Sequence, residues 1–166
     1  MSKTQENLAS AFAGESQANR KYLAFAKKAE SEGKKGLAKI FRVTAEGETV
    51  HALNHLKAMN EVKDSKINLA KAIEGETYEI EKMYPEFLEE VAEEEVLAKI
   101  SFVWAEKVEK IHRGLFQEAI AKLEKNEDIQ DEEYFVCGVC GYPAVGEAPV
   151  NCPICGAPKE KFSRQS

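Results

Sequence analysis

The sequence predicts an all-α four-helix bundle followed by a small domain that folds around a metal ion. Three observations support this fold class. Residues 1–125 are rich in Ala, Leu, Glu and Lys with apolar residues at helical spacing, and part of this region repeats itself. All four cysteines fall between positions 137 and 155, in a segment of different composition.

The helices of the first region are separated by three predicted turns. The segment 31–36 contains two glycines, and residues 61–68 and 91–96 are polar and charged. Between residues 1 and 125 the sequence has a single proline, Pro85, whereas the other four prolines follow residue 140. We therefore expect a helical domain at 1–125, an acidic linker at 126–133 and a cysteine-rich domain at 134–166.

Composition excludes several classes of protein. The formal net charge of -6 argues against nucleic-acid binding, which requires basic surfaces. No apolar run approaches the roughly 18 residues of a membrane span, and the N-terminal segment lacks the apolar stretch of a signal peptide. We expect a cytoplasmic protein, in which clustered cysteines bind metal rather than form disulfides.

The helical region contains an internal repeat with an offset of 61 residues. The segments LASAFAGES (8–16) and LAKAIEGET (69–77) match at five of nine positions. The same offset places Glu48 on Glu109, and His51 on His112. Two related helical hairpins with pseudo-twofold symmetry follow from this repeat.

Each predicted helix directs acidic or imidazole side chains toward the core. Glu15 lies in an apolar stripe, and two Glu-x-x-His pairs place a carboxylate beside a histidine on one helix face. Buried carboxylates are costly without a partner, so these donors predict two metal ions, with iron or manganese favoured by the oxygen-rich set. Gly14 and Gly75 precede two of the glutamates, and we expect close packing there.

One acidic residue breaks the symmetry of the repeat. Glu79 corresponds to Ala18 in the first hairpin and lies one turn after Glu76. Either it is exposed on a Glu-rich helix, or it adds a carboxylate to one half of the metal site.

The motifs GESQAN, GETVH, GETYEIEKMYP and VEKIH, followed by the cysteines, resemble those of the rubrerythrin family in the same order. The resemblance implies a ferritin-like diiron domain in which one iron moves between His51 and Glu79 with oxidation state. It also implies that Tyr22 and Tyr84 hydrogen-bond ligating carboxylates, although their spacing equally suits core aromatics. The implied diiron ligands are Glu15, Glu48, His51, Glu76, Glu79, Glu109 and His112.

The C-terminal segment contains two C-x-x-C pairs, each followed by a glycine. Four thiolates form a tetrahedral site for iron or zinc, and the glycine lets backbone N–H groups approach the sulfurs. The segment resembles a rubredoxin-like domain, which favours iron, and we expect Tyr134, Phe135, Tyr142 and Phe162 to form its core. The four predicted ligands are Cys137, Cys140, Cys152 and Cys155.

The family resemblance implies a peroxidase of oxidative-stress defence that reduces hydrogen peroxide to water. Electrons come from an external rubredoxin or reductase fed by NAD(P)H, and the cysteine-bound iron relays them. The resemblance further implies a homodimer in which the iron–sulfur centre of one subunit serves the diiron site of the other. Two alternatives remain: a ferroxidase or iron-handling protein that uses dioxygen, and a non-enzymatic electron carrier or zinc-stabilised scaffold.

Overall fold

The first two helices form an antiparallel hairpin. The computed structural model describes residues 2–165, in which α1 spans Lys3–Ser31 and α2 spans Lys35–Ala58. The Ser2 side chain accepts a hydrogen bond from the Gln5 N–H and so caps α1. A turn with Gly33 at a φ of +75° connects the helices, a backbone conformation that favours glycine.

Small side chains hold this hairpin together. The buried residues of its two helices are mainly alanines, which allow the backbones to approach closely. The hairpin is a compact unit that ends at Lys63. The buried alanines are Ala26, Ala29, Ala38, Ala45 and Ala52.

A second compact unit begins at Asp64, whose carboxylate accepts a hydrogen bond from the Ile67 N–H and caps α3. This cap starts the helix inside the segment 61–68 that the sequence predicts as a turn. The helix continues as α3 (Ser65–Tyr78), a π-helical segment (Glu79–Met83) and α4 (Tyr84–Glu90). The last helix, α5, spans Val96–Glu124, so the third turn lies within the predicted range 91–96.

The π-helical segment explains a shift in the internal repeat. Glu15 and Glu76 are 61 residues apart, whereas Tyr22 and Tyr84 are 62 apart. A π-turn accommodates one extra residue without breaking the helix, and the segment lies between these two pairs. The second hairpin therefore repeats the first with one residue inserted beside Glu79.

Two aromatic clusters confirm this alignment. In the first hairpin the ring centroids of Tyr22, Phe25 and Phe41 are 6.3, 6.3 and 5.6 Å apart. In the second hairpin the corresponding distances are 6.2, 6.4 and 5.5 Å. The second cluster consists of Tyr84, Phe87 and Phe102.

The C-terminal segment forms a small antiparallel sheet in the order β2-β1-β3. Its strands are β1 (Tyr134–Cys137), β2 (Pro143–Val145) and β3 (Phe162–Gln165), and a 3₁₀ turn at Lys159–Lys161 precedes β3. The predicted aromatic residues are only half-buried, and Tyr142 packs edge-on against Phe162. The buried residues of this segment are two of the cysteines and two alanines: Cys137, Ala144, Ala148 and Cys152.

No helix within residues 2–165 has both the length and the apolar composition that crossing a membrane requires.

Candidate metal centres

The first hairpin brings together three of the predicted ligands. Glu15 on α1 meets Glu48 and His51 on α2, with one donor atom from each residue within 4.8 Å of the others. His51 Nδ1 lies 2.9 Å from Glu48 Oε2 because residues three apart share a helix face. We call this group the first triad.

Asn19 connects the two helices of this hairpin, a role that the sequence did not indicate. Its Nδ2 donates to the Ala45 carbonyl at 2.7 Å and to Thr49 Oγ1 at 2.9 Å. The side chain lies one turn after Glu15, and Thr49 directly follows Glu48. Asn19 therefore fixes the alignment of α1 and α2 where the first triad forms. In the sequence, Asn19 stands out only as a polar residue at an inward-facing position of the helical pattern, which does not identify its partners.

The second hairpin contains an equivalent group, the second triad, formed by Glu76 on α3 and by Glu109 and His112 on α5. His112 Nδ1 is 2.6 Å from Glu109 Oε2 and 3.8 Å from Glu76 Oε1. The three side chains are half-buried. Both triads thus contain two carboxylates and one imidazole, as the repeat predicts.

Burial and neighbouring carboxylates together raise the pKa of Glu76 to about 7. Burial is the largest cause, followed by a hydrogen bond with Glu109 and by the negative charges of Glu109 and Glu79. Burial and the charge of Glu109 also raise the pKa of Glu79, against the influence of His112. A bound cation would relieve this repulsion, so the electrostatics of the second triad suit a metal ion.

Glu79 and Tyr84 interact electrostatically with residues of the second triad without belonging to it. Glu79 begins the π-helical segment, and its charge acts on both Glu76 and Tyr84. Burial raises the pKa of the Tyr84 hydroxyl, and the charges of Glu79, Glu109 and Glu76 raise it further. Tyr22 belongs to the aromatic cluster of the first hairpin. That Glu79 is a metal ligand, and that Tyr22 and Tyr84 donate hydrogen bonds to ligating carboxylates, stay predictions.

The expected crowding around Gly14 and Gly75 is wrong. A Cβ atom built on either glycine would have no neighbour within 4 Å among the described residues, apart from its own helix. Successive helical residues point about 100° apart. Each glycine therefore points to a different side of the helix from the glutamate that follows it, and no packing among residues 2–165 explains its small size.

The four cysteines form a site suited to tetrahedral coordination. Cys137 Sγ lies 3.7 Å from Cys155 Sγ, and Cys140 Sγ lies 3.5 Å from Cys152 Sγ. Metal–sulfur bonds of about 2.3 Å place the sulfurs of a tetrahedral site roughly 3.8 Å apart. The spacing is too long for disulfides, which need about 2.05 Å, and matches a bound zinc or iron ion.

The two cysteine loops have the same backbone hydrogen bonds. The N–H groups of Cys137 and Cys152 donate to the carbonyls of Tyr142 and Ala157, five residues later. Gly141 and Gly156 adopt φ values of +86° and +76°. This conformation directs the N–H groups of Tyr142 and Ala157 to the sulfurs of Cys140 and Cys155, as the glycines predict.

The thiols of this site do not ionise equally without a cation. Burial raises the pKa of Cys140, partly offset by the hydrogen bond from the Tyr142 N–H. Burial also disfavours the thiolate of Cys152, but the N–H groups of Cys155 and Ile154 outweigh it and lower the pKa of that thiol. Four neighbouring thiolates need a cation, so metal binding and proton release are coupled here.

Comparisons with known proteins agree with the two kinds of site. A family model for rubrerythrin matches residues 6–120, and a model for the rubredoxin-like domain of rubrerythrin matches residues 135–163. Rubrerythrin-2 of Clostridium acetobutylicum is 37% identical over 96% of this chain and 95% of its own length. Nigerythrin of Nitratidesulfovibrio vulgaris is 31% identical over 96% of this chain and 85% of its own.

A solved structure of nigerythrin in its fully reduced, all-ferrous state resembles the chain as well. It has a TM-score of 0.56 and 31% sequence identity, and the match covers 99% of this chain and 88% of that one. The predicted fold class, a ferritin-like helical domain followed by a rubredoxin-like domain, is confirmed.

Proposed function

Because this chain belongs to the rubrerythrin family, we propose that it is a non-haem diiron peroxidase that reduces hydrogen peroxide to water. In the net reaction one peroxide takes up two electrons and two protons and gives two waters. The relatives suggest an oxidoreductase with iron centres, and peroxide as the oxidant is the part that we propose.

One observation supports this function above the alternatives. The second compact unit contains both the four-cysteine site and the second triad. A ferroxidase needs no thiolate-bound iron, and a scaffold stabilised by zinc needs no carboxylate–imidazole group. A thiolate iron that passes on single electrons, in the same unit as ligands of a metal centre that would consume them, suits a protein that reduces peroxide.

The donors of each triad fit one iron ion, and we propose that the chain holds two in addition to the iron of the cysteines. Two carboxylate oxygens and one imidazole nitrogen from each triad match the preference of iron or manganese, and Glu79 is the proposed additional carboxylate. When bound, such metals supply redox equivalents and polarise the O–O bond of the substrate. The protein orients the ligands: Asn19 aligns the first triad, and the Glu-x-x-His spacing aligns both.

The other partners follow from the same proposal. The electrons come from an external rubredoxin or reductase, and the protein acts as a cytoplasmic homodimer. Apolar side chains on the surface of α2 support self-association, since Ile40 and Val43 are 63% and 66% exposed.

The choice of oxidant tests the proposal directly. Full-length protein loaded with iron is reduced anaerobically and mixed in a stopped-flow instrument with either hydrogen peroxide or dioxygen. We expect peroxide to reoxidise the iron centres faster than dioxygen at equal concentration. Faster oxidation by dioxygen, with ferric iron released or stored, would instead establish the ferroxidase alternative.

A further inference from the structure

We propose that a groove between α1 and α2 carries water and protons to the first triad, and that Asn19 holds the innermost water of this route. The inference rests on the proposed function, because the net reaction takes up two protons for each peroxide. It concerns the supply of those protons, which is separate from the supply of electrons.

Asn19 has one buried atom that lacks a hydrogen-bond partner. The residue is 8% exposed, and its Nδ2 donates to the Ala45 carbonyl and to Thr49 Oγ1. Because the Ala45 carbonyl can only accept, the amide nitrogen and not the amide oxygen must face it. No group within residues 2–165 donates to the remaining atom, Asn19 Oδ1. A buried acceptor without a donor is costly, so this oxygen requires a donor from solvent.

A groove of about 140 Å³ adjoins this side chain. Its lining includes the buried Asn19 and the half-buried Glu48, which belongs to the first triad. Arg20 and Leu53 also line it and are exposed, so they form its rim. The groove has room for several water molecules, each of which takes up about 30 Å³ in the liquid. It therefore connects solvent at the rim with a ligand of the first triad.

The lining offers the polar partners that a bound water needs. A water that donates one hydrogen to Asn19 Oδ1 retains its second hydrogen for Glu48 or for the next water. Its oxygen is free to accept from Ser16, Arg20 or another water along the groove. Buried waters make about three hydrogen bonds each, which these groups supply. Asn19 is thus a positioning residue that acts through the water it holds.

The equivalent position in the second hairpin is apolar. With the offset of 61 residues Asn19 corresponds to Ile80, which is 7% exposed. An apolar side chain therefore satisfies the packing at this point of a hairpin. A buried polar side chain at a position that an apolar one can fill indicates a functional role rather than a stabilising one. The first hairpin admits water where the second is filled by hydrocarbon.

Each proton moves along hydrogen-bonded water. A proton from bulk solvent adds to the outermost water, each water passes one proton inward, and the innermost water gives one to an oxygen atom of the peroxide. Every water regains what it loses. Two such passages supply the two protons of the net reaction, and the electrons arrive separately.

A high-resolution crystal structure of the full-length, iron-loaded protein tests the water site independently of the reaction. We expect an ordered water about 2.8 Å from Asn19 Oδ1, with further waters toward Arg20. In Asn19→Leu this water should be absent while α1 and α2 keep their positions. A groove of the parent protein without water at Asn19 Oδ1 would overturn the inference.

Oxidation of the reduced protein by peroxide, followed by stopped flow in H₂O and in D₂O, tests the proton route. Asn19→Leu should slow the reaction about tenfold at unchanged iron content, because a positioned proton donor is lost. The solvent isotope effect should rise, since proton entry then limits the rate. If the rate fell only in proportion to lost iron, or if the parent rate and isotope effect were retained, Asn19 would serve helix packing alone and the inference would be wrong.

A second pair of variants blocks the groove without changing Asn19. Leu53→Trp narrows the rim, and the matched control Val50→Trp places the same side chain at another exposed position of α2 that does not line the groove. We expect only Leu53→Trp to slow the reaction and raise its isotope effect. Equal rates in the two variants would show that protons enter elsewhere. Failure of the parent protein to react with peroxide would contradict the proposed function instead, and the crystal structure would still decide whether water occupies the groove.

Discussion

At the residue scale, the candidate metal centres depend on carboxylates that are unfavourable without a cation. Glu76 illustrates this because its half-buried carboxyl group faces two other acids. In the metal-free protein, folding favours the protonated form of Glu76, because the pKa of this carboxyl group is about 7 in the folded state instead of the usual 4.5. Metal-free protein and metal-loaded protein therefore respond to pH differently.

We expect the metal-free protein to lose stability as the pH rises. Below about 4.5 Glu76 is protonated in both states, whereas between 4.5 and 7 only the folded protein retains the proton. The free energy of unfolding should therefore fall across this interval, and Glu76→Gln should reduce the slope. Chemical denaturation at a series of pH values measures both effects.

An exposed glutamate provides the control for this experiment. Glu86 lies on the surface of α4, and Glu86→Gln should leave the slope unchanged. If Glu76→Gln and Glu86→Gln gave the same pH profile as the parent, Glu76 would not retain its proton in the folded state. The account of the second triad would then be wrong.

The ligand pairs were predictable at this scale because their spacing is local. A glutamate three residues before a histidine meets it on any α-helix, and both pairs do so. The bridging role of Asn19 was not predictable, because its partners Ala45 and Thr49 lie on another helix. The small size of Gly14 and Gly75 was interpreted as packing, and no neighbouring atom supports that interpretation.

At the element scale, the π-helical segment Glu79–Met83 distinguishes the second hairpin from the first. Composition carries little signal for a π-turn, because the same residues form ordinary helix elsewhere. The sequence showed its effect only indirectly, as the change of offset from 61 to 62 between the paired glutamates and the paired tyrosines. The aromatic clusters have matching geometry because the inserted residue is absorbed between them.

Deleting Lys82 should restore a regular α-helix. This exposed residue lies within the π-helical segment, and its removal leaves the flanking helices in register. We expect helix content and stability to be retained, because the helix no longer has to accommodate one extra residue. Affinity for the metal of the second triad should fall about tenfold, as after loss of a supporting group, because Glu79 changes direction.

Circular dichroism and iron titration by calorimetry measure these two outcomes. The matched control is deletion of Glu93, which lies in the turn before α5 and outside the helices. Unchanged iron affinity after deletion of Lys82 would show that the π-turn does not position Glu79. Loss of helix content would show that the segment is required for folding instead.

At the scale of the whole molecule, the order of the domains was evident from composition and motifs. The cysteine spacing and the internal repeat can both be seen directly in the sequence. Packing of the cysteine domain along α5 was not evident, because the contact between Val108 and Gly141 joins positions 33 residues apart in sequence. The core of that domain was not evident from the sequence either. Cysteines and alanines are buried there, whereas the predicted aromatic residues are half-buried.

The central claim is that one chain holds iron at the carboxylate–imidazole triads and at the four cysteines, and its most direct test is metal analysis of purified protein. We predict about three iron equivalents per chain, of which Cys137→Ser with Cys152→Ser removes about one, together with the iron–thiolate absorption. Glu76→Ala with Glu109→Ala should leave that absorption intact while lowering the remaining iron. Protein that contains metal only at the cysteines, even after anaerobic loading with ferrous iron, would contradict the account.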